Sequence, residues 1–137
     1  MQKSVLVIED DEDTRNIYTT ALTTHGYEVL TARQGAEGVH FARTKRPGLI
    51  VLDIRMPVMS GWTAMQYLRS YDETRGIPVL GISAYAPKEE QVERIGSLGF
   101  DSFLLKPIDP ADVVRAIETL IGPPDDSAGS VDPVTAE

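Results

Sequence analysis

The chain has 137 residues and no cysteine. That excludes disulfides, thiolate metal sites and a thiol nucleophile, and it suits a reducing compartment. No apolar stretch approaches the roughly 20 residues needed to cross a bilayer. The N-terminus meets charged residues too early for a secretory signal. A cytoplasmic protein without membrane contact is expected. Positive charge is scarce: 13 Lys and Arg stand against 21 Asp and Glu, a net charge of −8. Nucleic-acid binding needs a basic patch, and the densest group is only Arg43, Lys45 and Arg46. Those three read as a solvated helix end whose cations complement the dipole, so direct nucleic-acid binding is not expected. There are two histidines, His25 and His40. Neither has a carboxylate at metal-ligand spacing, and both read as surface residues. The glycines of "QGAEG" lack the Lys-Ser/Thr that completes a phosphate loop.

What is present suggests one domain with a sizeable core. Four apolar runs stand out: "SVLVI" (4–8), "GLIVL" (48–52), "PVLGI" (78–82) and "SFLL" (102–105), with a more polar fifth, "YEVLTA" (27–32). Runs without alternation suggest strands covered on both faces, as in a parallel sheet. Segments with helical spacing lie between and after them. Ile17, Ala21 and Leu22 share a face before Gly26, and Ala36, Val39 and Ala42 recur before Pro47. Met65 and Leu68 follow Gly61. Val92, Ile95 and Leu98 precede Gly99, and Val113, Val114, Ile117, Leu120 and Ile121 form the last stripe. Trp62 and the methionines Met56, Met59 and Met65 read as packing residues. Five β-α units in sequence imply an open, doubly wound sheet of five parallel strands with five helices. Residues 1–122 form that domain. Residues 123–137, with three prolines and no Lys or Arg, read as a disordered tail or linker stub.

Ligands of such sheets sit at the carboxyl ends of the strands. The first run ends in Glu9-Asp10, the third in Asp53, the fourth in Ser83 and the fifth in Lys106-Pro107. Clustered carboxylates without cysteine or convergent histidine suit a hard divalent cation, most naturally Mg²⁺. Mg²⁺ leaves room for a phosphoryl oxygen. Lys106 and the Ser83 hydroxyl could hold the others. The phosphoryl group could belong to a bound ligand, or a carboxylate could carry it as an acyl phosphate. Asp11, Glu12 and Asp13 would cap and open a helix, where acids complement the dipole.

The pieces "VLVIEDDEDTR" (5–15), "LIVLDIRMPVMSGW" (49–62), "GISAYA" (81–86) and "FLLKPI" (103–108), in this order, resemble the receiver domain of two-component response regulators. The likeness covers residues 2–122, and the 30 positions from Asp53 to Ser83 agree with it. It implies a flavodoxin-like fold with strand order 2-1-3-4-5. It makes Asp53 the phosphoacceptor, fed by a histidine kinase or histidine phosphotransfer protein. Asp10, Asp53 and the main-chain carbonyl of Arg55 then bind Mg²⁺, with Glu9 acting through a water. Lys106 pairs with the phosphoryl group ahead of a cis bond to Pro107. Ser83 and Phe103 form the switch, Phe103 standing where tyrosine is frequent. Ala84 leaves the entry open, and Arg55 and Tyr85 tune phosphoryl lifetime. Thr14, Ile17, Tyr18 and Ile108 fall where the donor docks. The step from Ser83 to Lys106 is one residue longer than the family pattern.

Two other classes compete. A haloacid-type Mg²⁺-dependent phosphatase also uses an Asp nucleophile on such a sheet, but it wants a D-x-D pair and this chain reads "DIR" at 53–55. A flavin or nucleotide carrier would need a loop after the first strand that holds an anion, and "EDDED" repels one. A degenerate receiver acting without phosphorylation is the remaining alternative. No output domain fits in the chain, so the output is expected through an unknown downstream protein, from a monomer or weak homodimer.

Overall fold

The computed structural model describes residues 3–84, 97 and 99–124. Five strands are present: β1 (Ser4–Ile8), β2 (Glu28–Ala32), β3 (Leu49–Asp53), β4 (Val79–Ser83) and β5 (Ser102–Leu105). All neighbours are parallel, in the order β2-β1-β3-β4-β5. Four helices are described: α1 (Glu12–His25), α2 (Gly35–Lys45), α3 (Gly61–Ser70) and α4 (Pro110–Ile121). Of the helix expected over Val92–Leu98 only Ser97 is described, and Tyr85 and residues 125–137 lie outside the described residues. Among the described residues no helix is long and apolar enough to cross a membrane.

The unbroken apolar runs have a simple cause. Side chains alternate between faces along a strand, and both faces of β1, β3 and β4 are covered. Leu6, Ile8, Ile50, Leu52 and Val79 face α2 and α3, meeting Val39, Ala42, Ala64, Met65 and Leu68. Val5, Val7, Leu49, Val51, Leu80 and Ile82 face α1 and α4, meeting Tyr18, Leu22, Val113 and Ile117. β2 and β5 are the edges and are largely half-buried or exposed, which accounts for the polar second run. Met56 and Met65 are buried, Met59 and Trp62 pack at the margin, and the Trp62 ring meets Phe100 edge-on at 5.8 Å.

Two helix stripes differ from expectation. Ile17 is 51% exposed, and α1 buries Leu22 of the expected stripe with Tyr18 in place of Ile17. Ala36 is exposed, and α2 buries Gly35 and Gly38 beside Val39 and Ala42. Gly38 lies against Ile8, where an added Cβ would stand 2.3 Å from Cδ1. The space on that face demands no side chain, which a stripe read from hydrophobicity cannot show.

Long polar side chains fasten the layers. Arg43 is more than a solvated helix end: its guanidinium lies 3.8 Å over the Tyr71 ring, and Nε donates to Glu73 at 2.9 Å. Arg69 donates to the carbonyls of Arg75, Ile77 and Gly99 at 2.6–3.0 Å and to Asp101 at 3.2 Å. It ties the end of α3 to the entry of β5. At the amino end of the sheet, Lys3 Nζ donates to the carbonyls of Ile121 (2.7 Å) and Pro123 (2.9 Å), and Tyr27 Oη to Gly122 (2.7 Å). His25 does find a carboxylate there: its Nε2 stands 3.0 Å from Glu118 Oε1 on α4. The partner sits on a helix remote in sequence, so local spacing gave no sign of it.

Candidate functional site

The carboxyl edge of the sheet collects the residues that follow the apolar runs. Asp53 and Ser83 are the last residues of β3 and β4. Glu9 and Asp10 follow β1, and Lys106 follows β5. Parallel pairing brings these strand ends level. Glu9, Asp53 and Ser83 are buried, and Asp10 is exposed. One carboxylate oxygen from each of Glu9, Asp10 and Asp53 lies within 4.8 Å of the others. Lys106 Nζ stands 3.5 Å from Glu9 Oε1 and 3.6 Å from Asp53 Oδ2.

The loops around this cluster are tightly specified. Asp11 caps α1, accepting from the Thr14 N–H at 2.9 Å and the Thr14 hydroxyl at 2.6 Å. Those two bonds hold the Asp11 carboxyl below its ordinary pKa. Glu12 and Asp13 occupy the first turn, where acids suit the dipole. The Asp11 N–H donates to Glu9 Oε2 at 3.1 Å. Behind β3, the Arg55 N–H donates to Asp53 Oδ1 at 3.0 Å. Gly61 opens α3 directly against this turn. A Cβ there would lie 2.6 Å from the Asp53 carbonyl oxygen and the Ile54 Cα, so only glycine fits. Between them Val58 is fully exposed in the left-handed region, φ +68°. That conformation is costly for a β-branched residue. The Lys106–Pro107 peptide is cis, and the Lys106 N–H donates to the Ser83 carbonyl at 2.7 Å.

The electrostatics show a site short of positive charge. Burial, then hydrogen bonding to Asp53 and the negative charge of Asp53, push Glu9 from 4.5 up to about 8. The Asp11 N–H and Lys106 pull the other way and lose. Burial depresses the Lys106 ammonium, but attraction to Asp53 and Glu9 prevails and its pKa rises. One lysine therefore does not neutralise three carboxylates. An all-oxygen set with that deficit fits a hard divalent cation such as Mg²⁺.

Beside the cluster a groove of about 590 Å³ runs between α1 and the start of α4. Thr14, Ile17, Tyr18 and Ile108 all line it, together with Ala84 and Lys106. Burial raises the pKa of the Tyr18 phenol in its wall. Arg55 is exposed at the far side of the site. Phe103 is half-buried on β5, edge-on to Phe100 at 6.0 Å. Both rings cover Gly81, where a Cβ would come within 2.8 Å of each. One neighbour of the site carried no readable signal in the sequence. Arg15 donates from Nη1 to the Glu9 carbonyl at 2.9 Å, although it sits one turn into a helix that opens with acids.

Comparison with known proteins agrees with this architecture. The family model for the response regulator receiver domain matches residues 5–118. The polar-differentiation response regulator DivK of Brucella anthropi is 35% identical over 122 residues, covering 89% of this chain and 98% of the relative. Among solved structures, the chemotaxis response regulator CheY4 of Vibrio cholerae superposes with a TM-score of 0.82 at 26% identity, covering 88% of this chain and all of the other. The receiver domain of the sensor histidine kinase PA1611 from Pseudomonas aeruginosa, with a magnesium ion coordinated in its active-site cleft, gives 0.79 at 27% identity, covering 88% and 98%.

Proposed function

The chain belongs to the response regulator receiver domain family of two-component signalling, and on that premise we propose that Asp53 is the residue that accepts the phosphoryl group. Receiver domains are phosphoacceptors that bind Mg²⁺ in an acidic pocket and interact with histidine kinases or phosphotransfer proteins. The observation that carries the assignment is the convergence of Glu9, Asp10 and Asp53 within 4.8 Å, with Lys106 3.6 Å from Asp53. Asp10, Asp53 and the Arg55 carbonyl would hold the cation, with Glu9 acting through a water. Bound there, Mg²⁺ offsets carboxylate repulsion and the charge of the arriving phosphoryl group.

The chain's own groups do the rest. An Asp53 carboxylate oxygen attacks phosphorus; the phosphorus–nitrogen bond of the donor's phosphohistidine breaks, and the imidazole departs with the electron pair and takes up a proton. Lys106 pairs with one phosphoryl oxygen and the Ser83 hydroxyl donates to another. Ala84, being small, leaves the approach open. Arg55 and Tyr85 shield the acyl phosphate from water and set its lifetime. Thr14, Ile17, Tyr18 and Ile108, lining one groove beside Lys106, form the docking surface for the donor. Phosphorylation draws Ser83 toward the site, Phe103 turns further inward, and a pre-existing two-state equilibrium shifts the face offered to a downstream protein. The module turns over no substrate of its own beyond self-phosphorylation and slow loss of the group.

Intact mass after incubation with acetyl phosphate tests this. The parent should gain one phosphoryl group only with Mg²⁺, and Asp53→Ala should gain none. Undiminished labelling of Asp53→Ala would move the acceptor elsewhere.

A further inference from the structure

Arg15 breaks the charge pattern of α1, and its side chain explains why. It is half-buried and turns back over the helix N-terminus. Nη1 donates to the Glu9 carbonyl at 2.9 Å and stands 3.5 Å from the Asp10 carbonyl. Those carbonyls belong to the two peptide groups on either side of Asp10. One guanidinium therefore holds both peptide planes that decide where the Asp10 side chain points.

Asp10 depends on that hold more than its neighbours do. Glu9 is held by the Asp11 N–H and by Lys106. Asp53 is held by the Arg55 N–H and by Lys106. Among the described residues the Asp10 carboxylate has no hydrogen bond or ion pair of its own, and it is exposed. Its direction toward Glu9 and Asp53 is set by backbone alone.

We propose that Arg15 is a positioning residue for the cation site, holding the peptides that flank Asp10 so that its carboxylate faces Glu9 and Asp53. The proposal rests on the reading of that cluster as a Mg²⁺ site. Two physical effects of Arg15 have opposite signs, which makes the role measurable. As a charge, Arg15 repels a divalent cation, so its neutralisation should tighten binding. As a positioning group, its loss should loosen binding, as removal of partners behind metal ligands does.

The test is calorimetric Mg²⁺ titration of the full chain as parent, Arg15→Met, Arg15→Lys and Asp53→Ala, with melting temperatures measured alongside. Arg15→Met should weaken Mg²⁺ binding about 10-fold despite removing a positive charge. Arg15→Lys keeps the charge and reaches only one carbonyl, so it should fall between Met and the parent at a melting temperature near the parent's. If Arg15→Met fails to fold, Arg15→Lys decides alone. Parent-like or tighter binding in the Arg15 variants overturns the positioning role while leaving the cation site intact. A parent that binds no Mg²⁺, or an Asp53→Ala variant that binds it equally, removes the cation reading and the proposal together.

Discussion

Lys3 and Lys106 stand at opposite ends of the same sheet and are used in opposite ways. Lys3 meets two neutral carbonyls at 2.7 and 2.9 Å. Tyr27 donates to a third carbonyl at 2.7 Å, and His25 reaches Glu118 at 3.0 Å. These four contacts are all short, 2.7–3.0 Å. Lys106 lies 3.5 and 3.6 Å from two buried carboxylates, too loose and too few in charge to satisfy them. The amino end closes the fold. The carboxyl end keeps an electrostatic deficit that a cation and a phosphoryl group can exploit. Perturbed groups of this kind gather at functional sites.

The largest expected effect tests that deficit through pH. Glu9 in the folded chain titrates near 8 against 4.5 when unperturbed. The folded state therefore binds more protons than the unfolded state between those values, and stability must fall as pH rises through that window. Urea midpoints of the metal-free protein should decline from pH 5 to pH 9, and Glu9→Gln should flatten the decline. Mg²⁺ should restore stability most at the alkaline end. An equal slope in Glu9→Gln would place the titrating group elsewhere.

A middle-sized effect belongs to the amino end. Tyr27 is 2% exposed, and burial together with the Glu118 charge lifts its phenol to about 12. Tyr27→Phe removes its bond to Gly122 and should cost about 1 kcal/mol in urea unfolding. Mg²⁺ affinity should not change. A variant that lost Mg²⁺ affinity would show the two ends to be coupled. The smallest effect belongs to the His25–Glu118 pair, which is more than one-third exposed on each side. Solvent screens such pairs, so Glu118→Gln should shift stability by less than about 0.5 kcal/mol. A larger loss would mean that the pair does more than decorate the surface.

The sequence disclosed some features and hid others for physical reasons. Burial on both faces wrote β1, β3 and β4 as unbroken apolar runs, and the next polar residue in each case is a site residue. Glu9, Asp10, Asp53 and Ser83 could be placed together for that reason, whereas Lys106 follows β5, whose run is apolar although the strand is an edge. The strand order came from the family likeness, since apolar runs do not state their neighbours. Ala36 faces outward because a helix face is chosen by the space opposite it, and at Gly38 that space admits no side chain, while Ile17 leaves the core stripe of α1 to line the groove beside Lys106. Arg15, Arg43 and Arg69 stayed hidden because a long basic side chain can lie along the protein as easily as reach for water. Nothing in the local sequence chooses between those courses.

The clamp at the amino end also fixes a point of departure. Pro124 packs over Gly26, where an added Cβ would stand 3.1 Å from the proline Cβ. Whatever follows Pro124 therefore sets out from the edge of the sheet opposite Asp53. A tether joined directly to Pro124 would leave the protein on the side remote from the acidic cleft.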